Sequence, residues 1–85
     1  MSDEIFQQIR EIIANKLSIS PEEIKPESDI MEDLGADSLD VQDLILTIED
    51  RWNIEFPVEE ADKFRTVGDV VEALKKLEEQ RASGG

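Results

Sequence analysis

Val41, Leu44, Ile45, Ile48 and Trp52 recur three and four residues apart, a spacing that admits little except an amphipathic helix. On the opposite side of the same helix stand Leu39, Asp43, Leu46 and Asp50. Two leucines ringed by acids on a face turned from the core suit docking of a basic partner. Single exposed leucines are ordinary; what sets this pair apart is the segment at the head of the helix, Gly35-Ala36-Asp37-Ser38-Leu39-Asp40. Gly35 punctuates a loop, and either Asp37 or Ser38 can cap the helix behind it. Ser38 therefore sits at a helix N-terminus near solvent, where backbone N–H groups and the macrodipole favour an anion. Its hydroxyl suits attachment of a phosphate. It does not suit a self-sufficient nucleophile, because the chain has no histidine or cysteine to activate it.

Charge narrows the partners. Lys and Arg number 9 against 22 Asp and Glu, a net charge of −13 over 85 residues, which disfavours nucleic acid or an anionic membrane and favours basic proteins. Nine acids stand between Asp37 and Asp62 against the single base Arg51, so the excess surrounds Ser38 and extends the expected partner surface to Asp40, Glu55 and Glu59. Apolar residues make up 39% of the chain, enough, in periodic arrangement, for one small domain with a marginal core. Without cysteine there is neither a disulfide framework nor a thiolate metal site, and any reactive thiol must come from a prosthetic group. No apolar run is long enough to span a membrane, and the acidic N-terminus does not read as a signal peptide; the expected compartment is the cytosol.

Three main helices and one short one emerge along the chain. The first runs from Asp3 to about Lys16, capped by Ser2 or Asp3, with Ile5, Phe6, Ile9, Ile12, Ile13 and Leu17 inward. A long connection follows to Gly35. Ser20-Pro21-Glu22-Glu23 forms a helical turn with a capping box, and Ile24, Ile30, Met31 and Leu34 are the residues available to pin the connection to the core. A calcium loop beginning at Asp29 fails, because Met31 and Leu34 stand where a ligand and a glycine are needed; no specific metal site is expected, only loose surface binding. After Trp52, Asn53 stops the helix in left-handed geometry, and Ile54 and Phe56 are buried in a loop. Pro57 opens a short turn over Val58 to Lys63. Thr66 and Asp69 form the capping box of the last helix, whose buried stripe is Val67, Val70, Val71, Leu74 and Leu77, with Phe64 anchoring the loop before it. The folded domain is thus 1–80, with 81–85 a frayed tail.

The segment at Ser38 resembles the acyl carrier proteins of fatty-acid and polyketide synthesis, whose attachment motif is Asp-Ser-Leu, here Asp37-Ser38-Leu39 within the longer Gly35-to-Asp40 run typical of freestanding bacterial members. The resemblance extends from about Ile5 to Leu77. It implies an all-α fold, a small four-helix bundle with the short helix third, and a carrier rather than an enzyme. Phosphopantetheine would be attached covalently to Ser38 by a phosphopantetheinyl transferase using coenzyme A and a divalent cation, with Asp37 orienting Ser38 or the cation. Acyl groups would ride on the arm as thioesters. Leu39, Asp43, Leu46 and Asp50 would be read by basic patches on fatty-acid or polyketide synthesis enzymes, the chain acting as a monomer. The family often carries an apolar residue where Gln42 stands, an acid at Arg51 and phenylalanine at Trp52. A specialised lipid or polyketide carrier, and an unmodified acidic helical adaptor, are the alternatives. A ubiquitin-like sulfur carrier, suggested by Gly84-Gly85, needs alternating strand patterns that this chain lacks.

Overall fold

The apolar periodicities become helices at the expected places in a computed structural model, which describes residues 4–84. They are α1 (Glu4–Leu17), α2 (Ser38–Trp52), the single turn α3 (Val58–Ala61) and α4 (Val67–Gly84), with a 3-10 turn at Pro21–Glu23. No strand occurs among the described residues; one isolated bridge joins Asp29 and Thr66. The architecture is the small helical bundle with its short helix third. α1 packs against both α2 and α4. Ile9 and Ile13 of α1, Ile48 of α2, and Val67, Val70 and Leu74 of α4 are almost wholly buried at the shared core, and Ile24 and Ile30 reach it from the connection. The Ser2 or Asp3 cap lies outside the described residues.

Each helix end has a local cause. Lys16 lies in the last turn of α1, where a cation complements the carbonyl end. The chain then turns at Ser18, whose φ of 57° is left-handed, and Ile19 N–H closes the end on Ala14 O at 3.1 Å. Ser20 caps the 3-10 turn with the full capping box. Asn53 ends α2 at φ 57°, ψ 49°. Phe56 is buried, Ile54 half-buried, and Phe56 meets Phe64 edge to face with ring centroids 5.1 Å apart. Glu49 holds this corner, its carboxylate accepting the Phe56 N–H at 2.8 Å.

The long connection departs from expectation at Met31, which is 49% exposed rather than pinned. The connection is held mainly by its backbone, which returns to the start of α4. Ile30 N–H donates to Arg65 O at 2.9 Å, Val67 N–H to Ser28 O at 3.0 Å and Gly68 N–H to Pro26 O at 2.7 Å. With Ile30 inward, Met31 falls outward on the turn that Asp29 caps through the Met31 and Glu32 amides. Two acids of this loop, Asp29 and Asp33, are therefore turned to its own N–H groups; Asp33 accepts from Asp29 N–H at 2.8 Å. At the far end, α4 stays helical to Gly84, past the point where a tail was expected to begin. Arg81 Nη1 donates to Trp52 O at 2.8 Å, satisfying a carbonyl at the end of α2.

Candidate functional site

The loop before α2 brings Ser38 to the surface. Ala36 is buried, and its N–H donates to Ile30 O at 3.1 Å. Gly35 makes the approach possible with φ +80°, a region that costs other L-residues strain. The chain then emerges: Asp37, Ser38 and Leu39 are all exposed. Asp37, not Ser38, is the N-cap, so Ser38 is the first helical residue. Asp37 Oδ1 accepts the Asp40 N–H at 2.9 Å, and Asp40 Oδ2 accepts the Asp37 N–H at 3.2 Å. This reciprocal box fixes the first turn rigidly.

The box leaves Ser38 chemically open. Val41 N–H is taken by Asp37 O and Asp40 N–H by the Asp37 carboxylate. Among the described residues the amides of Ser38 and Leu39 have no partner, and neither has the Ser38 hydroxyl. A phosphate esterified there would meet two free N–H donors and the positive end of a helix of 15 residues. The geometry thus fits the group that the motif implies. Asp37 and Asp40, the acids beside Ser38 in the chain, each give one carboxylate oxygen to the other's amide.

The outer face of α2 carries the expected side chains. Leu39 is 72% exposed and Leu46 63%, while Asp40, Asp43 and Asp50 are exposed between and beyond them. Glu55 and Glu59 are exposed on the segments that follow, whereas Glu60 is half-buried. Sequence reasoning missed two features. Val58, at the start of α3, is 76% exposed; its place directly after Pro57, outside any apolar stripe, was the available signal. Asp43 is bound by Lys16 Nζ of α1 at 2.9 Å, a pairing between helices that no local spacing reveals. The inner stripe is as expected, with Leu44 and Ile48 buried and Val41, Ile45 and Trp52 packed partly against the core. Arg51, the one base on α2, lies over the Trp52 ring at 5.8 Å.

Comparison with known proteins agrees with this geometry. A family described as the phosphopantetheine attachment site matches residues 7–74, a span that encloses Ser38. An acyl carrier protein of Wolinella succinogenes is 52% identical over 71 residues, covering 84% of this chain and 93% of that one. An acyl carrier protein of Clostridium acetobutylicum is 47% identical over 76 residues, covering 89% and 99%. Among solved structures, a chain from Mycobacterium tuberculosis described as an acyl carrier protein superimposes with a TM-score of 0.80 at 29% identity, over 86% of this chain and 97% of that one. Exposed serine, capped helix and matched span converge on one assignment: the chain belongs to the acyl carrier proteins, the family that carries phosphopantetheine.

Proposed function

We propose that this protein carries acyl groups for fatty-acid synthesis, or for a related lipid or polyketide pathway, on phosphopantetheine esterified to Ser38. The observation that carries the reading is the Ser38 hydroxyl, exposed at the head of α2 and without a partner among the described residues, inside the matched span. The arm, once bound, supplies the thiol that the cysteine-free chain lacks. The chain's own residues hold and present it. Asp37 and Asp40 lock the first turn so that the Ser38 Oγ stands clear of the surface. The second Asp37 oxygen is not used by the cap and would help orient Ser38 or the divalent cation that a transferase brings with coenzyme A. Leu39, Asp40, Asp43, Leu46, Asp50, Glu55 and Glu59 form the surface that basic patches on the loading and synthesis enzymes recognise.

The chain itself catalyses nothing. Its carrier unit is residues 1–80, acting as a monomer in the cytosol; among the described residues no helix is long and apolar enough to cross a membrane. A ubiquitin-like carrier is excluded by the helical fold, in which Gly84 belongs to α4. An unmodified adaptor would need only the α2 face, not an open serine at its head.

Intact mass spectrometry after incubation with coenzyme A and a bacterial phosphopantetheinyl transferase tests the reading. The wild-type chain gains the mass of one phosphopantetheine. Ser38→Ala, with its side chain exposed, melts at the wild-type temperature and gains nothing. Modification of that variant would move the site; an unmodified wild type would favour the adaptor.

A further inference from the structure

The acids on the outer face of α2 are not equally available. The Asp40 carboxylate closes the capping box, while Asp43, midway between Leu39 and Leu46 on the helix, is held by Lys16 Nζ at 2.9 Å. Lys16 reaches it from the last turn of α1, and both side chains remain open to water. The pair therefore neutralises the centre of the face without removing it from solvent. A basic side chain arriving from a partner must share or displace the Lys16 ammonium. Exposed ion pairs are weak enough for that exchange to be reversible.

We infer that Lys16 is an internal competitor for the docking face: it occupies Asp43 in the free protein and lowers the affinity of enzymes that present a basic patch. The inference rests on the proposed role of this face. It makes Lys16, a residue of α1, a determinant of partner strength, favouring partners whose cations outbid an ammonium in place. A partner guanidinium, which binds carboxylate through two donors, is the better competitor.

The test is steady-state loading of the apo-protein by a phosphopantetheinyl transferase with coenzyme A, at low salt. Lys16→Gln should lower KM for the carrier about threefold, the scale of one exposed pair, with kcat unchanged. Lys16→Arg, whose guanidinium can hold the Asp43 carboxylate through two donors, should keep KM at or above the wild-type value. In an Asp43→Asn background, Lys16→Gln should change KM little, because the pair is already absent. An equal fall in both backgrounds would show that only net charge matters and would overturn the inference. So would an unchanged or raised KM in the Lys16→Gln protein. If neither the wild-type chain nor any variant is loaded, the Ser38 reading fails and this inference falls with it, an outcome recognisable because every protein is then equally inert.

Discussion

α2 and α4 begin with the same device and use it differently. Each opens on a capping box in which the cap side chain accepts an amide three residues on and an aspartate reaches back: Asp37 with Asp40, Thr66 with Asp69. At α4 the remaining amides are consumed by the fold, since Val67 N–H goes to Ser28 O and Gly68 N–H to Pro26 O. At α2 the corresponding amides, of Ser38 and Leu39, have no partner among the described residues. Thus one helix N-terminus anchors the long connection, and the other is left free at the residue proposed to carry the arm. Local capping does not distinguish a structural helix start from a functional one; what the neighbouring chain does with the spare donors does.

The largest effect should come from breaking the closed end. A Cβ at Gly68 would lie 3.0 Å from Pro26 O, a backbone atom with little room to yield. Gly68→Val should therefore cost about 2 kcal/mol of stability as the connection is pushed from α4. Urea denaturation would register it, and a change below a few tenths of a kcal/mol would show that the contact is slack. Loading at Ser38 should be unaffected under conditions where the variant remains folded.

Removing the two caps sharpens the comparison. Thr66→Ala should cost about 1–2 kcal/mol, since Thr66 is half-buried and its hydroxyl serves a helix start packed under the connection. Asp37→Ala should cost about 0.5–1 kcal/mol, because the exposed first turn of α2 can be hydrated. It should also slow loading of Ser38, which Thr66→Ala should leave alone. Equal losses of stability, or equal effects on loading, would erase the distinction between the two ends.

Much of this was legible in the chain. Periodicity located α1, α2 and α4, and Ser20, Asn53 and Thr66 signalled their turns by side-chain chemistry that acts within three or four residues. The place of Ser38 at the head of α2 was legible for the same reason. What escaped depends on contacts distant in sequence. The pairing of residues 26–30 with 65–68 is made by backbone groups, which every residue type shares, and so Met31 could not be distinguished from Ile30 by hydropathy. Lys16 and Asp43 are brought together only by helix packing. Ser18 adopts a left-handed conformation where glycine is the usual choice, and the chain carries no local mark of it.

Asp29 links the two ends, and its titration should produce the smallest effect. Its carboxylate caps the turn leading towards α2 and reaches Arg65 beside the start of α4, at 3.3 Å. The Glu32 N–H holds this carboxyl below the ordinary aspartate value; partial burial opposes it, and the Arg65 guanidinium and the Met31 N–H add to the lowering. A folded-state value below the unfolded one means that the charged form stabilises the fold. That contribution is complete above the ordinary aspartate range and is lost as pH falls through the lowered value. Acid also relieves the repulsion of a chain at −13, so wild-type melting alone would mix two opposite trends. Asp29→Asn separates them, because the amide oxygen can still cap the turn while the charge is gone. The wild-type advantage in melting temperature should be constant from neutral pH to about pH 5, then shrink as acid protonates Asp29. An advantage that persists undiminished at pH 2 would mean that it does not come from the carboxylate's charge.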